Sequence, residues 1–180
     1  MAKKKIYTKE QIIENACKIV QANGFDKLTV RNVAKQMDTS TQPIYLEFKS
    51  MEDLKEVVVE KILNKLFKIT LKKSYTEDPL IDLGLALIDF SNNEKDLFKT
   101  LFVENYQLGP KIYDHSYESF HILVLSSEKY SNLSEYKINI LHSHIYVMAT
   151  GLASLISAGI FYYNFEKIKD IFHSTIDRII

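Results

Sequence analysis

Cysteine is nearly missing from this sequence, since Cys17 is the one thiol in 180 residues. A lone cysteine excludes an internal disulfide framework and fits a reducing cytoplasm, with Cys17 itself a small side chain in or beside a helix core. Tryptophan is absent, and there are only three prolines and five glycines. Strand signals are nearly absent too, and no linker or repeat interrupts apolar residues that recur at helical spacing. Net charge is zero, which taken alone argues against a chain that coats nucleic acid. No leader is expected, because Lys3-Lys4-Lys5 runs into an amphipathic segment, and no stretch is expected to be apolar and long enough to cross a bilayer. The catalytic signatures GxSxG, glycine-rich loop and HExxH are all missing, so the chain is expected not to be an enzyme. His142 and His144 are two apart on a helix and point to different sides, while His115 and His121 are six apart. Neither pair suits one metal, and neither a metal site nor a cofactor is expected.

What is present is unevenly distributed. Residues 1–50 hold nine Lys and Arg against five Asp and Glu, and the remainder is acidic. A basic small domain on an acidic larger one suits a protein that touches phosphate at one end only. The pattern predicts an all-α chain of about nine helices: a three-helix helix-turn-helix domain at 1–50 and a helical bundle at 51–180. A Thr8-x-x-Gln11 capping box opens the first helix, which carries Ile12, Ile13, Ala16, Ile19 and Val20 and stops at Asn23-Gly24. Thr29 caps a second helix bearing Val30, Val33, Ala34 and Met37. Asp38-Thr39-Ser40 makes a polar turn, Ser40 is the expected cap of the third helix, and Pro43 sits in its first turn. That helix should bury Ile44 and Phe48 and turn Thr41, Gln42 and Tyr45 outward. Ser50 and Asp53 read as a second capping box.

Further helices are expected over Met51–Lys73, from Asp78-Pro79 to about Asn92, over Glu94–Asn105 and Lys111–Lys129, from Ser134 to Gly159, and from Asn164 to Ile180. The helix opened by Asp78-Pro79 should face inward with Leu80, Leu83, Leu87 and Phe90. The following one should do so with Leu97, Phe98, Leu101 and Phe102. Two short helices around a tight turn can place the second in the major groove of double-stranded DNA. Gln42 is the best base reader, since an amide bonds adenine at two positions, and Thr41 and Pro43 could meet thymine methyls. Lys49 would add charge near phosphate.

Ile12 with Ala16, Gly24-Phe25, Leu28-Thr29, Val33-Ala34, Ile44-Tyr45 and Phe48-Lys49-Ser50 together resemble the N-terminal domain of the TetR/AcrR family of bacterial transcriptional regulators. The resemblance covers about the first third of the chain. It implies that Tyr45 bonds the DNA backbone, and that Thr29 and Arg31 reach phosphate or base. Three positions depart from the pattern: Asp38 replaces a glycine in the turn, Glu47 a histidine near phosphate, and Met51 a lysine.

The family's middle helices enclose a small ligand, which here implies an apolar or aromatic effector among Phe98, Phe102, Tyr106, Tyr113, Tyr117, Phe120, His121 and Tyr146. Aromatic stripes at this spacing are also what an ordinary core shows. The last two helices of the family pair across a two-fold axis, so a homodimer through Gly151, Leu152, Leu155, Ile156, Phe165, Ile168, Phe172 and Ile176 is implied. Small residues from Ala149 to Gly159 fit close helix approach. The expectation is therefore a cytoplasmic, ligand-responsive repressor binding a palindromic operator, with no membrane partner. A module of the same fold with weak or lost DNA binding is the alternative, supported by Glu47 and Met51.

Overall fold

A computed structural model describes residues 7–104 and 109–180, so Lys3–Lys5 and Tyr106 lie outside the described residues. Among these the chain is helical, without strands, and divides into two compact units, Met1–Asn64 and Lys65–Ile180.

In the first unit, α1 (Lys9–Asn23) starts at the expected reciprocal cap, Thr8 Oγ1 accepting from Gln11 N–H and Gln11 Oε1 from Thr8 N–H. It ends at Gly24, whose φ of 76° is open to glycine at no steric cost. A 3₁₀ turn over Phe25–Lys27 leads to α2 (Val30–Gln36), capped by Thr29. The turn after it depends on Asp38 at φ 51°, a left-handed angle that a short polar side chain tolerates. Tyr7 holds that turn from outside, its hydroxyl donating to the Met37 carbonyl at 3.0 Å.

Next comes α3 (Gln42–Glu47), and here one expectation fails. Ser40 is not the cap. Thr41 takes the N-cap position, with no side-chain bond, because its own backbone is already helical and its carbonyl accepts from Ile44 and Tyr45 N–H. At α4 (Met51–Thr70) the cap is shared: Ser50 Oγ accepts from Asp53 N–H, and Asp53 Oδ2 accepts from Lys49 N–H. The division between units falls inside α4 rather than at residue 50. The physical reason is that Leu54, Val58, Val59, Ile62 and Leu63 on the first turns of α4 are buried.

The second unit is built around α5 (Pro79–Asn93), which packs on α6 (Lys95–Phe102), α8 (Glu135–Ser157) and α9 (Phe165–Asp177). The expected inward face of α5 is only half of what is covered. Ile81, Leu85 and Ile88 are buried with Leu80, while Leu83, Leu87 and Phe90 are only partly buried. A helix apolar all round belongs at the centre of its bundle. Phe172 of α9 lies directly against Gly84 of α5, where an added Cβ would meet the ring at 2.3 Å. Alanine is the better helix former by about 1 kcal/mol, but overpacking a rigid core costs roughly 1–3 kcal/mol. Gly84→Ala is thus expected to destabilise the bundle in urea titrations, and trimming Phe172 to leucine in the same chain should restore part of the loss.

Asp78 opens α5 by accepting from the N–H groups of Leu80 and Ile81, and its other oxygen accepts from Lys129 Nζ at 2.6 Å and from the hydroxyl of buried Tyr130. Burial pushes the Asp78 carboxyl up, but Lys129, Tyr130 and the Leu80 N–H together hold it below 3.8. Burial and the same carboxylate push the Tyr130 hydroxyl up to about 12. A depressed carboxyl gives stability that is present above its unfolded value and lost as pH falls through the folded one. Asp78→Asn, which can still cap, should cost about 1 kcal/mol at neutral pH and remove the part of acid unfolding that sets in below 3.8.

Between these, α7 (Gly109–Ser126) begins two residues earlier than expected, because glycine and proline fit a first turn whose N–H groups are unpaired anyway. One expectation about long apolar stretches is overturned. The 23 residues of α8 contain a window of mean hydropathy 1.3, long and apolar enough by composition to cross a membrane. Its inner face (Ile138, Leu141, His142, Ile145, Ala149 and Ala153) is buried. The high hydropathy arises because the outer face is apolar as well.

Candidate nucleic-acid interface and aromatic cluster

The third helix of the head is short enough for one side to fix it and the other to be free. Ile44 is buried, and Phe48 just beyond it is buried too, with Lys9 Nζ 5.2 Å from its ring centre. Gln42, Tyr45 and Leu46 stand at i, i+3 and i+4 and share the opposite side. Tyr45 is 62% exposed and Leu46 77% exposed, an arrangement that gains nothing from burial within the chain. Leu46 was missed by sequence reasoning, although its spacing from Gln42 carried the signal. An exposed leucine beside an amide and a phenol offers apolar contact to a thymine methyl.

The other DNA-reading candidates lie before, within and after this helix. Thr41 and Pro43 are half-buried at the start of α3, and Ser40 is exposed in the turn before it. Thr29 is exposed but occupied as a cap, its Oγ1 accepting from Asn32 N–H at 3.2 Å. Arg31 on α2 and Lys49 after α3 are exposed cations. Glu47 is exposed at the end of α3, and Met51 is half-buried.

In the bundle, the predicted effector residues fall into one continuous group of rings with a centre that sequence reasoning set aside. His142, considered above only as a metal ligand and rejected, is 2% exposed. Tyr113, Tyr117, Phe120 and Tyr146 surround its imidazole with ring centres at 4.9, 5.2, 5.3 and 5.6 Å. Phe102 extends the group, 6.5 Å from Tyr146, and stacks on buried Phe98 at 5.3 Å. His121 sits at the rim, where its Nε2 lies 3.0 Å from a Glu135 carboxylate oxygen. Burial pushes the Tyr146 and Tyr117 hydroxyls up, with lesser contributions from Tyr113 and Glu135 respectively. Burial alone pulls the His142 imidazole down to about 4, so it is neutral at physiological pH. Helix periodicity placed these rings on the right faces; only their convergence from α6, α7 and α8 makes His142 the hub.

The predicted association residues divide sharply. Ile168, Phe172 and Ile176 are at most 1% exposed, inside the bundle's own core, so they cannot meet a second copy. That expectation is corrected: the stripe on α9 is covered by this chain's α5 and α8. Leu152, Ile156 and Phe165 are partly buried against the same core. Gly151 and Leu155 are exposed, and a Cβ at Gly151 would find open space. Tyr136 and Val147 continue their stripe along the outer side of α8.

Residues 12–58 match the family described as bacterial regulatory proteins, tetR family. A probable HTH-type transcriptional regulator of Bacillus subtilis strain 168, YttP, is 26% identical over 106 residues, or 56% of this chain and 51% of YttP. The match thus spans about half of that relative's length. Among solved structures, the multidrug binding protein EbrR complexed with imidazole aligns with a TM-score of 0.65 at 17% identity, over 96% of this chain and 89% of EbrR. A TetR from Acinetobacter baumannii AYE in complex with minocycline aligns at 0.55 and 14% identity, over 96% and 94%. Likeness at such identities is one of fold. Residues 12–58 thus carry the helix-turn-helix domain of the tetR family of bacterial regulatory proteins, and the described residues share the all-α fold of these solved structures.

Proposed function

We propose that this protein is a homodimeric, effector-responsive repressor that binds a palindromic DNA operator. The observation that carries the reading is the outward side of α3, where Gln42, Tyr45 and Leu46 are exposed while Ile44 anchors the helix from behind. Gln42 reads an adenine edge, Leu46 and Pro43 meet thymine methyls, and Tyr45, Thr29, Arg31 and Lys49 hold phosphate and set register. A two-fold pair of such heads reads two half-sites about one helical turn apart. The outer side of α8 supports the pairing. Val147, Gly151 and Leu155 form an apolar, small-residue stripe, and glycine there permits close helix approach.

The effector is a small apolar or aromatic molecule held among Phe98, Phe102, Tyr113, Tyr117, His121 and Tyr146, with His142 at their centre. Two proteins of like fold were solved with small molecules, imidazole and minocycline. The coupling is thermodynamic: a ligand that prefers an arrangement of heads unsuited to the operator weakens DNA binding by the same free energy that DNA weakens ligand binding. The helix α4, which runs across the division between the two units, is the element through which that preference passes.

Fluorescence anisotropy on a palindromic duplex selected from a random library tests the reading. Binding should saturate at a whole number of dimers. It should fall steeply between 50 and 200 mM salt, by about a factor of ten or more if only a few phosphates are neutralised. A flat salt response would favour the alternative, a family-fold module that has lost DNA, since Glu47 stands exposed at the end of the same short helix.

A further inference from the structure

We propose that the cluster around His142 takes an uncharged, flat effector that donates a hydrogen bond to His142 Nδ1. This rests on the effector reading above and narrows it to a ligand class. The argument begins with Ser116 on α7. Its hydroxyl oxygen lies 2.8 Å from the Tyr113 carbonyl oxygen and 2.8 Å from His142 Nε2. A serine has one proton to give, and the bond to the Tyr113 carbonyl uses it. His142 must then donate from Nε2 to Ser116 Oγ, which leaves Nδ1 as a bare lone pair. The opposite tautomer would strand an N–H among aromatic rings, and orphaned buried donors are rarer than under-used acceptors.

His142 Nδ1 is buried with no hydrogen-bond partner among the described residues. A lone pair in that state calls for a donor, and a ligand that supplies one recovers the cost of its desolvation. The surroundings set the rest of the class. Among the described residues, the groups on the imidazole are the Ser116 hydroxyl and the rings of Tyr113, Tyr117, Phe120 and Tyr146, and no ionised side chain is among them. Glu135, at the edge of the group, is already engaged by His121 and Tyr117. A carboxylate ligand would set lone pair against lone pair, and a cation would lose its hydration without a counter-charge. A flat ring fits among edge-on and tilted rings. Tyr113, 39% exposed and hydrogen-bonded to Ser143, is the outer wall whose displacement uncovers the imidazole.

The experiment is a titration of the full-length protein with phenol, anisole and benzoate, followed by ¹⁵N-detected NMR of the imidazole nitrogens and of the surrounding tyrosines. In the free protein Nε2 should carry the proton and Nδ1 should not. Phenol should shift the Nδ1 resonance and bind about tenfold or more tighter than anisole or benzoate. His142→Phe should bind phenol and anisole alike. A proton found on Nδ1, equal binding of phenol and anisole, or a phenol preference that survives in His142→Phe overturns the donor requirement and leaves the effector reading standing. If none of the three perturbs Tyr113, Tyr117 or Tyr146, the proposal and the effector reading at this cluster fall together. The tautomer measurement needs no variant, so it decides even if His142→Phe does not fold.

Discussion

Gln42→Ala combined with Tyr45→Phe is expected to lower operator affinity about a hundredfold while leaving the head as stable as before. Both halves of that expectation follow from where the side chains sit. Neither is buried, and surface changes away from caps and cores usually move stability by less than about 0.5 kcal/mol. The phenylalanine keeps the ring and removes only the hydroxyl. A bidentate amide–adenine pair is worth roughly 1–3 kcal/mol of discrimination, and a lost charge-assisted bond to phosphate adds roughly 1.5 kcal/mol or more. Two such losses are enough for about two powers of ten. The single variants should differ in kind. Gln42→Ala relaxes preference at one base pair, while Tyr45→Phe weakens all sequences alike. Unchanged anisotropy curves for the double variant on a selected operator would remove this face of α3 from the reading.

Acidification from pH 6.5 to about 4 is expected to strip about 3 kcal/mol from the bundle through His142 alone. The imidazole titrates near 6.5 in the unfolded chain, and burial pulls it down to about 4 in the fold. Between those values the unfolded chain takes up a proton that the folded chain refuses. Stability is therefore complete above 6.5 and is lost as pH falls through about 4. Among the described residues no charged neighbour enters: the groups on the ring are Ser116, Tyr113, Tyr117, Phe120 and Tyr146. Urea titrations at pH 7, 5.5 and 4 check this, with His142→Phe as the control. The variant should keep its neutral-pH stability within about 1 kcal/mol and lose this acid limb. An unchanged limb would mean that water or local opening already solvates the imidazole. The Asp78 effect sets in at lower pH, below 3.8, so the two are separable on one curve.

The local features of this protein were legible in its sequence because they depend on residues three or four apart. Thr8 with Gln11, Thr29 before its helix, Asp78 before Pro79 and Ser134 before α8 all cap as their spacing implies. The polar turn at Asp38 was likewise readable, while its left-handed angle was signalled only by the glycine that Asp38 replaces in the family pattern. Ser40 shows the limit even there: the residue three on is Pro43, which has no N–H to give it, and Thr41 takes the N-cap position.

Periodicity determined which residues share a face; it said nothing about what covers that face. The stripes on α8 and α9 look equally suited to a second copy, yet Ile168, Phe172 and Ile176 are closed over by α5 and α8, and only the outer side of α8 stays open. Gly84 reads as a weak spot in a helix until Phe172 arrives against it from 88 residues away. His142 offered no signal at all, because its spacing from the other histidines concerned metals and its true neighbours come from α7. Fold class, most caps and the outward face of α3 follow from short-range bonding and apolar spacing within single helices. The covered side of each outer helix, and the environment of His142, depend on which helices pack together, and burial energies between distant segments decide that.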